Sequence, residues 1–188
     1  MVTNVMITGV GGQGTLLTSR IIGQLAINKG YEVKVSEVHG MAQRGGSVVT
    51  FVRFGKNIAE PVVEEGGADV LISFEKMEAL RYAHFVKKDG VIIANDCRID
   101  PITVVTGVAK YPENPLETLS KTHKLFSVDA NAKALELGNS KVFNTVILGL
   151  VATKLEFTKE EWLKVIETTV PQKTIEINKK AFLLGYEG

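Results

Sequence analysis

An apolar run, Val5-Met6-Ile7-Thr8, leads directly into Gly9-Val10-Gly11-Gly12-Gln13-Gly14, and that turn leads into a segment of helical spacing. No other feature limits the fold so tightly. Residues 2–8 read as a strand, apolar nearly throughout, as expected of a strand covered on both faces. Residues 15–29 read as a helix, with Leu16, Leu17, Ile21, Ile22, Leu25 and Ile27 as its inward stripe and Gly30 as its stop. Strand, glycine turn and helix together make an anion-cradling corner. Glycine lets the backbone turn tightly and approach a ligand, and the free N–H groups at the positive end of the helix attract negative charge. The helix is also a crossover, so residues 31–36, with Val33 and Val35 on one face, are expected to form a second strand parallel to the first.

A second glycine-rich stretch follows: Glu37-Val38-His39-Gly40-Met41-Ala42-Gln43-Arg44-Gly45-Gly46. It has neither helical nor strand period beyond Glu37 and reads as a loop facing the first. Beyond it the chain alternates again. Strands are predicted at 48–54, 69–73, 91–95, 102–108 and 124–128, with a short edge pairing at 58–61. Residues 87–90 read as a turn. Helices are predicted at 75–85, with Leu80, Ala83 and Met77 inward, and at 116–121. Another spans 130–137, capped by Asp129. The remainder is helical: 142–155, a segment opened by a capping box at Thr158 and Glu161 with Trp162, Val165 and Ile166 buried, and 175–184. The pattern implies an α/β fold: a three-layer, Rossmann-like, mostly parallel sheet with helices on both faces and a helical C-terminal end. Nothing in it marks a linker, so residues 1–188 read as a single domain.

Composition narrows the function. A formal charge of +1 offers no general attraction for nucleic acid or an anionic membrane, and no run reaches the ~18 apolar residues that span a bilayer. No signal-peptide pattern opens the sequence, so the expected location is cytoplasmic. Cys97 is the only cysteine. One thiol makes no internal disulfide and holds no iron–sulfur cluster, and no metal site is expected.

Gly9, Gly11 and Gly14 satisfy G-x-G-x-x-G, and Glu37 lies 37 − 14 = 23 residues beyond, near the ~20 expected of a ribose-binding acid. That pattern suggests NAD. Against it, the chain offers no second domain for a hydride acceptor, and the same turn also serves for tight packing alone. Arg44 suits a phosphate or carboxylate held bidentately, or an ion pair with Glu37 or a partner chain. Gln13 and Gln43 suit carbonyl, amide or phosphate contacts. His39 is a candidate general base, though no carboxylate or nucleophile is visibly paired with it, and a structural role is the plainer reading. Cys97 reads as an idle thiol, and His84 and His123 as surface histidines.

With these residues in view, the two glycine-rich stretches resemble the gamma subunit or domain of the 2-oxoacid:ferredoxin oxidoreductases. The form His39-Gly40-Met41-Ala42-Gln43-Arg44-Gly45-Gly46 most resembles the beta subunit of indolepyruvate ferredoxin oxidoreductase. Asn144-Thr145 with Gly149, and the ending around Asn178, Phe182 and Gly185-Tyr186, extend the resemblance over nearly the whole chain. It implies oxidative decarboxylation of a 2-oxoacid, an arylpyruvate favoured, to an acyl-coenzyme A with electrons passing to ferredoxin. Thiamine diphosphate, Mg and [4Fe-4S] clusters are then expected in a larger partner subunit, with coenzyme A as co-substrate of the complex. This chain would be the cluster-free component, inactive without its partner and able to form a homodimer in isolation. Gly9, Gly11, Gly12, Gln13, Gly14, Glu37, Gln43 and Arg44 would form its share of a site. The alternative from the residues alone is a free-standing, Rossmann-type NAD-binding protein.

Overall fold

The computed structural model describes residues 2–40 and 45–188. Six strands form one sheet in the order β2-β3-β1-β4-β5-β6. These are β1 (Val2–Val10), β2 (Glu32–His39), β3 (Ser47–Gly55), β4 (Ala68–Ser73), β5 (Val86–Asn95) and β6 (Lys124–Val128). The helices are α1 (Thr15–Asn28), α2 (Lys76–Tyr82), α3 (Ile102–Val105), α4 (Pro115–Ser120), α5 (Ala130–Glu136), α6 (Phe143–Ala152), α7 (Lys159–Thr169) and α8 (Ile175–Glu187). Strands β1, β4, β5 and β6 are mutually parallel, while β3 runs antiparallel to both β1 and β2. The mostly parallel, helix-covered sheet expected from the sequence is therefore the one observed.

Alternation along the strands divides the core in two. Val5, Ile7, Val52, Ile72 and Ile93 face one layer, where Ile21, Ile22 and Leu25 of α1 pack with Val146, Trp162 and Phe182 of the C-terminal helices. Met6, Phe51, Leu71 and Ile92 face the other, against Ala79, Ala83 and Leu119. The C-terminal helices close on each other through glycine. A Cβ at Gly149 would overlap Phe182 O, and one at Gly185 would overlap Val146 O, so α6 and α8 touch backbone to backbone. The capping box is present, with the Thr158 hydroxyl accepting from Glu161 N–H and the Glu161 carboxylate from Thr158 N–H.

Some sequence expectations give way to the tertiary structure. Strand β2 has the expected direction but is not the neighbour of β1, because β3 inserts between them. Buried Val48, Val49, Phe51, Val52 and Phe54 suit an interior strand, whereas Val35 and Val38 of β2 are exposed as befits an edge. Leu16 and Ile27 of α1 are also exposed, since the helix meets the sheet on a narrower stripe than its aliphatic content suggested. Residues 58–61 form no strand; Lys34 Nζ donates to Ala59 O, and Ile58 N–H to Glu32, tying the segment to β2 through side chains. Residues 87–90 belong to β5, bulging where the register jumps from Ala68↔Val86 to Val70↔Val91. Residues 102–108, rich in β-branched side chains, form no strand. Pro101 opens the short helix α3, and Ile102, Val105 and Val108 are exposed and join no strand of the sheet. In α2, Ala83 is buried just past the helix end and Leu80 and Met77 half-buried as expected, but the deeply buried positions include Glu75 and Glu78.

Candidate functional site

The glycine turn lies at the carboxyl end of β1, where the chain leaves the sheet for α1. Gln13 N–H donates to Val10 O (3.1 Å) and closes the turn. The Gln13 side chain braces it: Oε1 accepts from Val10 N–H (2.7 Å) and Nε2 donates to Phe74 O (3.1 Å) on the neighbouring β4 crossover. Gln13 thus links two strand ends, and what it can offer a ligand lies mainly in its surroundings. Gly9 is needed for that brace, since a Cβ there would stand 2.8 Å from Gln13 Oε1 and 3.2 Å from Phe74 Cβ. Gly11 N–H donates to Gly46 O (2.9 Å), so the two glycine-rich stretches do meet.

Gly12 and Gly14 differ from these. Both adopt positive φ, +101° and +93°. The side of Gly12 where a Cβ would stand is open space, while the same position at Gly14 is taken by Asn144 Nδ2. Gly14 is the N-cap of α1 and has no side chain with which to cap it. The backbone amides of Gly12, Gly14, Thr15, Leu16 and Leu17 donate to no described residue. The corner is therefore a cluster of free donors at the positive end of a 14-residue helix.

Glu37 reaches this corner from β2. Its Oε2 accepts from Thr50 Oγ1 (3.0 Å) and from Thr15 Oγ1 (3.3 Å) at the start of α1. A carboxylate engaged by two hydroxyls, on a strand displaced by one from β1, is poorly placed to take up a ribose. His39 is exposed at the end of β2, with Nδ1 3.2 Å from Gly40 O and no described carboxylate beside it. Gln43 and Arg44 lie outside the described residues. Asn144, at the start of α6, escaped the sequence reading as a site residue. Its position against Gly14 depends on a helix more than a hundred residues away, and no local pattern signals it.

A second polar cluster occupies the ends of β4 and β5. Glu75 is fully buried and caps α2 through Glu78 N–H (2.9 Å). It also accepts from Ile99 N–H (3.2 Å) and from the Tyr111 hydroxyl, so it anchors both sides of the 98–111 excursion. Burial, reinforced by the bond to Glu75, pushes the Tyr111 phenol up beyond its ordinary range. Cys97 follows β5 nearby, and burial raises its thiol pKa, with the charge of Glu75 adding to the effect. An open depression of about 740 Å³ lies beyond, between Lys76, Asp96, Arg98, Lys110 and Tyr111. No residue of the glycine turn lines it. Among the described residues no group of three or more His, Cys, Asp or Glu stands close enough to hold a metal ion.

The profile of the pyruvate ferredoxin/flavodoxin oxidoreductase family matches residues 4–188. The chain belongs to that family. Its relatives include the indolepyruvate oxidoreductase subunit IorB of Thermococcus kodakarensis, 43% identical over 97% of this chain and 93% of that protein. The Archaeoglobus fulgidus subunit IorB is 41% identical with the same coverage. The common gamma subunit of pyruvate/ketoisovalerate oxidoreductases from Pyrococcus abyssi is 29% identical over 95% of this chain and 92% of its own length. Among solved structures, pyruvate oxidoreductase subunit PORC from Thermotoga maritima shares the fold with a TM-score of 0.73 at 24% identity. It covers 99% of this chain and 96% of its own. In 2-oxoglutarate:ferredoxin oxidoreductase from Magnetococcus marinus the same fold, at a TM-score of 0.76, is 30% of a longer chain. The family resemblance read from the two glycine-rich stretches is thus borne out. No described helix is long and apolar enough to cross a membrane.

Proposed function

We propose that this chain is the small, cluster-free subunit of a 2-oxoacid:ferredoxin oxidoreductase of the indolepyruvate type. The observation that carries the reading is similarity over 97% of its length to subunits named for indolepyruvate oxidation. The complex would oxidatively decarboxylate an arylpyruvate, pass electrons to ferredoxin and release an acyl-coenzyme A. Thiamine diphosphate, its Mg ion and the iron–sulfur clusters belong in this reading to a larger subunit. An iron–sulfur cluster needs a set of thiolates, and Cys97 is the only thiol of the sequence.

The donor cluster at Gly12, Gly14 and the first turn of α1 suits a phosphate or carboxylate oxygen of coenzyme A or substrate. Arg44 would add a charge to such a site, and Gln43, its neighbour in the sequence, a neutral donor and acceptor. Glu37 orients the start of α1 through Thr15. Gln13 supports the turn, with Gly9 and Gly11 letting the two loops close. Among the described residues His39 has no carboxylate or nucleophile beside it, and this reading gives it no proton-transfer role.

The test is purification of the tagged chain from its native host, followed by assay with indolepyruvate, phenylpyruvate and pyruvate. Co-purification with a larger, brown, thiamine-containing subunit and preferential oxidation of the arylpyruvates are the expected results. A colourless, solitary protein stabilised by NAD would instead favour the nucleotide-binding alternative. Within the complex, Arg44→Ala is expected to weaken coenzyme A affinity roughly tenfold or more. Unchanged affinity would remove Arg44 from the site.

A further inference from the structure

Asn144 has a donor left over. Its side-chain Oδ1 accepts from Thr145 N–H (2.8 Å) at the start of α6. Its Nδ2 donates to no described residue, although Asn144 is only 7% exposed. Buried amides nearly always find acceptors, so this one points to an acceptor from outside the described chain. The side-chain polar atoms that are both sealed and unpaired among the described residues are Thr18 Oγ1 and Trp162 Nε1. Asn144 Nδ2 is not among them, so it keeps some contact with the space outside the chain.

Its direction is set by Gly14, where a Cβ would overlap Nδ2 before any other atom. Gly14 is also the uncapped N-cap of α1. A free side-chain donor and a free helix terminus therefore meet at one point, from elements 130 residues apart (144 − 14). The groups available there are donors: Asn144 Nδ2 and the amides of Gly12, Gly14 and the first turn. Glu37 is the one described carboxylate tied to this helix start, and its charge is partly met by the Thr15 and Thr50 hydroxyls. We infer that Asn144 is a ligand-binding residue whose Nδ2 donates to an oxyanion, a carboxylate or phosphoryl oxygen, seated on the N-terminus of α1. Glu37 weakens that binding from the side. The inference rests on reading the glycine turn as a ligand cradle.

The experiment uses the full chain labelled with ¹⁵N, titrated separately with inorganic phosphate and with pyruvate at constant ionic strength in chloride. The Asn144 side-chain NH₂ and the amides of Gly12, Thr15 and Leu16 are expected to shift together with one dissociation constant. Asn144→Asp keeps an oxygen for Thr145 N–H but replaces the donor with a negative acceptor. It is expected to lose roughly tenfold in affinity with the melting temperature retained. Glu37→Gln is expected to bind several-fold tighter. Should Asn144→Asp not fold, the wild-type side-chain shift and Glu37→Gln still decide. Binding of one probe alone supports the inference and identifies phosphoryl or carboxylate as the source. Backbone shifts without a shift at the Asn144 amide, or equal binding by Asn144→Asp, overturn the Asn144 assignment while the cradle stands. No response to either probe overturns both.

Discussion

Glycines of one motif do separate jobs at the carboxyl end of β1. Gly9 makes room for the Gln13 brace, whereas Gly14 holds a left-handed backbone and admits Asn144. Left-handed geometry costs a side-chain-bearing residue roughly 1–2 kcal/mol, and the overlap with Asn144 adds to it. Gly14→Ala is therefore expected to destabilise the fold by about 2 kcal/mol in urea unfolding. A loss near zero would mean that the turn rebuilds in another conformation. At Cys97, burial and the neighbouring carboxylates raise the thiol pKa, so little thiolate forms at neutral pH. Iodoacetamide is expected to alkylate it more slowly than free cysteine at pH 7, and the rate should rise with pH later than it does for the free amino acid. Faster alkylation than free cysteine would reverse the reading of Cys97 as an idle thiol. The glycine positions were legible because turn chemistry is local. The buried Glu75 was not, because its ligands, Ile99 and Tyr111, come from a segment that only the fold brings back.

Helix ends were the most readable elements, since their signals lie within four residues of each other. The box at Thr158 and Glu161 formed as its spacing predicts, and Thr158→Ala is expected to cost about 1 kcal/mol in thermal or urea unfolding. Glu161 also bonds Lys29 at 2.7 Å, joining α7 to the end of α1. The Lys29 ammonium first, and the Thr158 N–H second, hold the Glu161 carboxyl below the usual carboxylate range. A depressed folded-state pKa contributes stability at pH above the unfolded value, and that contribution is lost as pH falls through the folded value. An NMR titration of Glu161 should show that low pKa, moving toward the ordinary range in Lys29→Met. Packing between helices was less legible. Gly149 and Gly185 interrupt apolar helices without any local reason, and only the α6–α8 contact explains them. Gly185→Ala forces backbone apart and is expected to cost about 3 kcal/mol, the upper end for overpacking. The same limit explains residues 102–108: β-branched side chains favour a strand only where an edge can pair with it.

At the scale of the whole molecule, the proposed division of labour follows from the single thiol of the sequence, since an iron–sulfur cluster needs several. The isolated chain is expected to show no visible iron–sulfur absorption and no oxidation of indolepyruvate, with both appearing on assembly with the larger subunit. Turnover by the isolated chain would overturn that division of labour. The sequence by itself determined the fold class, the corner at Gly9–Gly14 and the family, because periodicity, turn residues and motif identity are properties of neighbours along the chain; the antiparallel course of β3 it did not give. Tertiary structure decided the placement of β3 between β1 and β2, the bracing role of Gln13, the engagement of Glu37 by Thr15 and Thr50, and the approach of Asn144 to Gly14. Those depend on which buried faces and unpaired polar groups meet once distant segments pack, and a hydrogen bond between residues far apart in sequence leaves no local pattern from which to read it.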